Sequence, residues 1–324
     1  MFYLGIDVAK KKLDCMLLDT STGKMKSKGN LPNTAAGFVQ LLEWLEEKKA
    51  VDPHIVMEPT GMYHEAAALA LADAGLTVSL VNPAQLRAFA QGLGVKNKTD
   101  KEDSTVLARF GAAQNPAPWQ PPSPSARHLK ALLARRDAVA DDLQRECNRK
   151  EANDFSSVPE AVSDSIAESI AFLKAELKRL EKMIAKHIND DPDLRNRKEL
   201  LETIPGVGPR VSTHMTTLFA GRTFERAEQL AAYLGLVPVV WESGTSVRGR
   251  PHMSKAGPAY IRKVLYMPAV VARSCNPHIK ALNERLLAKG KSKMAAIGAA
   301  MRKLVHLCFG VIHSGKPYDA KFAT

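Results

Sequence analysis

Cysteine, aromatic residues and long apolar runs are all scarce in this 324-residue chain. Its four cysteines, Cys15, Cys147, Cys275 and Cys308, stand far apart with no CxxC or Cys/His pairing. That spacing excludes a zinc or disulfide framework and predicts reduced thiols that fill cores. Aromatics make up 6% of the chain, so Trp119, Trp241, Tyr260 and Tyr266, which have the shape to stack on bases, are read first as core or hinge packing. No run approaches the roughly 18 apolar residues of a membrane span. The N-terminal MFYLGIDVAKKKL has no apolar signal core, so neither export nor membrane insertion is expected, and the expected location is the cytoplasm.

What the chain does have is positive charge, and it is local. Lys plus Arg number 46 against 34 acids, a net of +12. Residues 1–122 carry 13 basic and 13 acidic groups, residues 123–198 carry 15 and 14, and residues 199–324 carry 18 and 7. An excess of +11 in the last segment points to a polyanionic partner for that segment alone.

The same three segments differ in pattern. In 1–122, short apolar runs at 3–8, 13–18, 54–57 and 77–81 and a polar run at 24–30 alternate with helical periodicity. An α/β module with a mixed sheet is therefore expected. A Pro-rich stretch over 116–124 reads as a linker. In 123–198, Leu129, Leu132, Arg136, Val139, Leu143 and Cys147 keep helical steps. Beyond a break near Pro159, Ile166, Ile170, Leu173, Leu177, Leu180 and Ile184 form a heptad seam. This predicts an α-helical coiled-coil hairpin, packed on its own chain or pairing with a second copy. In 199–324, LLETIPGVGPRVSTHMTTLFA reads as a helix-hairpin-helix whose Gly206 and Gly208 let backbone N–H groups approach phosphate. Met267 to Val271 reads as a buried run, and 304–311 with Met301 as an apolar closing helix.

Four carboxylates in the first segment invite a chemical reading. Asp7 interrupts an apolar strand, where an unpaired charge is costly. Glu58 ends the fourth strand-like run just before Pro59. Asp100 and Asp103 share one face of a helix, while Glu102 is read as a helix-start acid. If they converge at strand ends, their hard oxygens suit Mg²⁺, and Mg²⁺ assists phosphodiester chemistry. The neighbouring Lys10, Lys11 and Lys12 read as a solvated charged turn.

The last segment carries ESGTSVRGRPHMSKAGPAYIRK, in which Arg248, Arg250, Lys255, Arg262 and Lys263 surround Ser243, Ser246 and Ser254. Such density of guanidinium and ammonium groups with glycine suits phosphate contacts, and a serine so placed can attack a phosphodiester. The three serines are not ranked by these residues. No His or Asp stands at a telling spacing for a triad.

GIDVAKKKLD, VMEPTGMY, LVNPAQLRAFAQGLGVKNKTDKEDSTVLARF, ESGTSVRGRPHMSKAG and IRKVLYMPA together resemble the insertion-sequence transposases of family one-ten, over essentially the whole chain and in this order. The resemblance implies an RNase H-like first domain (1–122) whose Asp, Glu, Asp, Asp set falls on Asp7, Glu58, Asp100 and Asp103 with Mg²⁺. Together with the periodicity above, the expected architecture continues with an α-helical coiled-coil hairpin (123–198) and a mostly helical, basic transposase domain with the helix-hairpin-helix (199–324). By the resemblance, the nucleophile falls on Ser243, in Glu242-Ser243-Gly244. The activity implied is DNA transposition through a covalent phosphoserine, guided by an element-encoded RNA, in a homo-oligomer whose protomers complete a composite site. Two rivals are a metal-dependent nuclease or junction resolvase in which Ser243 only binds phosphate, and a non-catalytic architectural DNA-binding protein.

Overall fold

The structure is a computed structural model that describes residues 1–59, 61, 63–95, 99–156, 158–239, 242–243, 247–249 and 251–321, with only the backbone described at 242, 243, 247 and 248. It divides into two compact units, Met1–Pro121 and Pro122–Thr324.

The first unit opens with three antiparallel strands, β1 (Phe2–Val8), β2 (Lys12–Asp19) and β3 (Met25–Pro32). Helix α1 (Ala35–Glu47) leads to β4 (His54–Met57), and α2 (His64–Asp73) leads to β5 (Val78–Leu80). Both strands run parallel to β1. Helices α3 (Pro83–Gly92) and α4 (Asp100–Gln114) follow. The sheet order β3-β2-β1-β4-β5 is that of an RNase H-like fold, so the expected mixed sheet is present. Alternation along β1 divides the core. Leu4, Ile6 and Val8 pack with Leu41 and Leu45 of α1 and with Ala68 and Leu71 of α2. On the opposite face Val56 meets Leu107 and Phe110 of α4.

Gly5 decides how closely α4 can approach that face. A Cβ there would stand 2.1 Å from the Ser104 carbonyl oxygen and 2.4 Å from the Ala108 nitrogen. The helix backbone therefore lies flush on β1, a packing that only glycine permits. The start of the expected linker is not loose. The Trp119 N–H donates to the Val78 carbonyl at 2.6 Å, and Ser79 Oγ, itself 2.8 Å from His54 Nε2, lies 3.0 and 2.8 Å from the Pro116 and Ala117 carbonyl oxygens. Residues 116–119 thus cover the β5 edge, which an edge strand needs.

The second unit begins with two 31-residue helices, α5 (Pro124–Asp154) and α6 (Glu160–Asp190), each about 46 Å long at 1.5 Å per residue. They pack along each other. Leu129, Leu133, Ile184 and Ile188 are buried together with Leu194. Towards the connection between the helices, Ile166, Leu173, Leu177, Leu143 and Cys147 are only half-buried, and Phe155 and Phe172 are 88% and 68% exposed.

Helices α7 (Pro192–Glu202), α8 (Pro209–Gly221) and α9 (Ala227–Tyr233) come next, then β6 (Pro238–Val239), β7 (Glu242–Ser243), β8 (Val247–Arg248) and β9 (His252–Met253). Helices α10 (Ala259–Cys275), α11 (Pro277–Ala288) and α12 (Lys293–Ser314) close the unit. Their core joins Leu201, Met215, Leu230, Leu265, Ile279, Leu304 and Cys308. Helix α12 has the length and composition to cross a membrane, but its Ala300, Leu304 and Cys308 side is built into this core.

Three expectations need correction. Met267 to Val271 is not a buried run: those two residues are 60% and 53% exposed while Ala269 is fully buried, because the segment is one side of α10. Cys15 and Cys308 fill cores, but Cys147 is half-buried and Cys275 is exposed. The Lys10–Lys12 stretch is not wholly a solvated turn, since Lys12 opens β2.

Candidate active site

Strand register brings the acids of the first unit together. Asp7, the penultimate residue of β1, stands opposite Asp14 of β2. Ile6 pairs with Met57 on the other side, so Glu58, the first residue beyond β4, enters beside Asp7. The third element is the start of α4. Thr99 caps it by accepting the Glu102 N–H at 3.2 Å, and the Thr99 hydroxyl lies 3.4 Å from Glu102 Oε2, an N-cap that fixes the first turn. Glu102 is thus the helix-start acid expected, and Asp100 and Asp103 sit in the same turn. Because Gly5 lets α4 lie flush on β1, that turn ends beside Asp7.

Electrostatics register the convergence. The Asp7 carboxyl is pushed up to about 6, first by burial and then by the negative charges of Asp103, Asp100, Asp14 and Glu58. A cluster of this kind is relieved by a proton or by a cation. Among the described residues no three His, Cys, Asp or Glu side chains close on a single point at metal-binding distance. A lysine lies among the acids: Lys12 Nζ is 2.6 Å from Asp100 Oδ2 and 3.0 Å from Asp14 Oδ2. Hydrogen bonds to Asp100 and then Asp14 hold the ammonium well above its ordinary value. From sequence Lys12 was read only as part of a solvated turn, and Asp14 was not singled out. The available signal was the strand alternation that sets Lys12, Asp14 and Met16 on one face.

In the second unit, α7 and α8 are joined by a tight turn. Gly206 has φ +96°, and a Cβ there would stand 2.7 Å from Ala272 Cβ, so this glycine serves close packing on α10. Gly208, the N-cap of α8, has open space where its Cβ would be. Asn276 Nδ2 donates to the Pro205 carbonyl at 3.1 Å and ties the turn to the end of α10.

Ser243 lies on the backbone of a small hairpin in which Glu242 pairs with Arg248 and Ser243 with Val247. Gly244, Ser246 and Arg250 lie outside the described residues, as do the side chains of Ser243 and Arg248. Pairing of β6 with β9, Pro238 with Met253 and Val239 with His252, closes the base of this excursion. Ser254 Oγ accepts the Ala256 N–H at 3.4 Å, a turn role. Arg262 Nη1 donates to the Leu234, Ala256 and Gly257 carbonyls at 3.0, 3.0 and 3.2 Å, pinning the returning chain onto α9. Within that return Lys255 has φ +55°. A Cβ on Gly257 would meet the Tyr233 carbonyl oxygen at 1.9 Å. Lys263 pairs with Asp141 at 2.7 Å, both exposed.

A further group was not found from sequence. His214 on α8 is almost fully buried, with Nε2 3.4 Å from Asp137 Oδ2 of α5 and its ring 5.9 Å from that of Tyr260. Burial pushes Asp137 up, but His214 and Arg136 outweigh it and hold the carboxyl below its usual range. The two residues are 77 positions apart in sequence, so no spacing announces them.

The class of protein is thus defined by an RNase H-like sheet carrying converged acids, followed by a basic helical unit that carries a serine hairpin. Comparison with known proteins makes it particular. Residues 4–153 match a family described as a transposase of the DEDD type, and residues 198–284 match the Transposase IS116/IS110/IS902 family. Pilin gene-inverting proteins of Moraxella lacunata and Moraxella bovis are each 33% identical over 323 residues, covering 98% of this chain and 98% of theirs. A solved structure of T. thermophilus RuvC in complex with Holliday junction substrate matches 36% of this chain and 98% of its own, at 16% identity and a TM-score of 0.27. The fold assignment stands on strand order and not on that likeness. The chain belongs to the IS110 family of transposases and is a DNA transposase or recombinase.

Proposed function

We propose that the protein cleaves and exchanges DNA strands by metal-assisted transesterification through Ser243. The observation that carries the metal half is the elevated Asp7, half-buried and ringed by carboxylates from two further strands and a helix start. This donor set fits a hard divalent cation such as Mg²⁺, with Asp7, Glu58, Asp100 and Asp103 as the residues that hold it. When bound, the ion would neutralise charge at the scissile phosphate.

The remaining chemistry belongs to the chain. Ser243 Oγ forms a bond to phosphorus, the bond to one strand oxygen breaks, and the leaving oxygen takes up a proton. The phosphoserine then conserves the phosphodiester energy for rejoining. Gly208, Arg248, Arg250, Lys255 and Lys263 hold DNA phosphates, and Arg262 shapes the turn in which Lys255 sits. Gly206 sets the hairpin turn. The charge of +11 in residues 199–324 supports backbone contacts that read no sequence. A guide RNA that pairs with target and donor DNA would supply the sequence choice. The thin seam near Phe155 and Phe172 supports a homo-oligomer joined through the α5/α6 pair.

The test is strand cleavage on element-end DNA. Wild type with Mg²⁺ cleaves, while Asp7→Asn, Asp103→Asn or chelation lowers the rate at least about a hundredfold, the scale of losing electrostatic stabilisation at a reacting phosphate. Unchanged cleavage in these variants refutes the metal site. For the guide, ribonuclease treatment of purified protein abolishes target-specific activity, and full activity after treatment rejects RNA guidance. A metal-dependent nuclease without a serine intermediate is the second reading, favoured because the acids converge within one unit.

A further inference from the structure

Lys12 belongs to neither the acid set nor the phosphate contacts, yet it stands at the centre of the first unit's charge. Two features show that its position is built. Asp14 lies directly opposite Asp7 in the β1/β2 register, and like charges in facing strand positions repel. The Asp14 carboxylate is nevertheless fixed. The β2/β3 ladder is irregular between Leu13 and Cys15, and there Asp14 Oδ1 accepts the Asn30 N–H at 3.2 Å. A Cβ on Gly29 would stand 2.8 Å from that same oxygen, so glycine leaves the carboxylate free to take this position without shifting. The other oxygen, Oδ2, anchors Lys12 Nζ at 3.0 Å. From this anchor the ammonium reaches 88 residues along the chain to Asp100 Oδ2 at 2.6 Å.

Asp14 is therefore occupied on both oxygens and acts as a mooring, while Asp100 is the residue whose oxygen the ammonium takes. A divalent cation needs the same lone pairs at roughly 2.0–2.1 Å for Mg²⁺, and a carboxylate oxygen turned to an ammonium offers them poorly.

We propose that Lys12 is a resident counter-cation of the metal-free site, a positioning residue that holds Asp100 against Asp14 and must release it when a divalent ion loads. The inference rests on the acid-cluster reading above. The side chain is suited to the exchange. It is 38% exposed, its four-carbon stem is flexible, and Asp14, 15% exposed, stays in place to receive the ammonium when the ion leaves.

The test uses Mn²⁺ alone, titrated into the full-length protein without nucleic acid and followed by calorimetry and by the Mn²⁺ electron paramagnetic resonance signal. Lys12→Met keeps the apolar stem and removes the charge. It should tighten Mn²⁺ binding about fivefold, the upper end for a pair this exposed. Lys11→Met removes the same charge one residue away and should change affinity less than about twofold. In an Asp100→Asn background the effect of Lys12→Met should vanish, since coupling between the two residues is what the proposal asserts.

Equal effects of the Lys11 and Lys12 substitutions, or an unchanged affinity in Lys12→Met while wild type binds, overturn the proposal and leave the metal site standing. Binding by neither wild type nor variant overturns the metal site and the proposal with it. Thermal melts monitor folding, and Lys12→Gln replaces Lys12→Met if the methionine variant does not fold.

Discussion

Asp7 and Ser243 stand in unlike surroundings. Asp7 is placed by regular structure: a strand of seven residues, its two paired neighbours and a capped helix laid on Gly5. Ser243 sits on a strand of two residues, inside an excursion whose base is held where β6 meets β9 and where Arg262 grips three carbonyls. The first arrangement fixes several charges against one another and stores repulsion. The second holds one group on a short span between two anchors. Under the proposed function the first arrangement gains from fixed geometry, and the second from a hairpin anchored at its base.

Breaking the rigid side has the largest expected effect. Gly5→Ala places a methyl against the backbone of α4 and should cost about 3 kcal/mol, the upper end for overpacking, measured by denaturant melts. It should also weaken Mn²⁺ binding, because α4 carries Asp100 and Asp103. A variant as stable as wild type would show that α4 does not depend on this contact.

The tethered side is probed by Arg262→Ala, which leaves the Leu234, Ala256 and Gly257 carbonyls without their donor. About 2 kcal/mol of stability should be lost, and DNA-strand exchange should fall further than DNA binding does. Equal losses in both would place Arg262 in the phosphate contacts instead.

A smaller effect follows from Asp7. Its folded value of about 6 lies above the ordinary value of 3.8, so the protonated form is favoured on folding. The stabilisation is full below pH 4 and is lost as pH rises through 6. In metal-free protein Asp7→Asn should therefore gain about 1 kcal/mol over wild type above pH 6, after allowance for solvent screening of a half-exposed group. It should show no gain below pH 4, and a gain that does not vary with pH would contradict the assignment. Smallest of all, Lys263→Ala breaks an exposed pair with Asp141 and should change stability by less than about 0.5 kcal/mol, while lowering the salt dependence of DNA binding.

The contrast also explains what could be read in advance. The acids were legible because an Asp within GIDVAK and a Glu before Pro59 violate the apolar pattern of strands, and a violated pattern needs a reason. Glu102 was legible as an acid at a helix start, where the helix dipole favours negative charge. Lys12 and Asp14 were not, since their meaning comes from a β-bulge and from Asp100, 88 residues away in sequence from Lys12. The pairing of Asp137 with His214 was hidden for the same reason. Among the serines, residue chemistry left three candidates and only the family resemblance chose Ser243. The Met267–Val271 segment misled because a helix can show five apolar residues in a row while burying only one side.

The most direct measurement is to trap the reaction on DNA, denature, and locate any covalently bound nucleotide by mass spectrometry. The account predicts a denaturant-stable adduct on the peptide containing Ser243, formed only with a divalent ion, absent in Ser243→Ala and reduced at least about a hundredfold in Asp103→Asn. An adduct that persists in Ser243→Ala, or efficient strand exchange with no adduct at all, would contradict it.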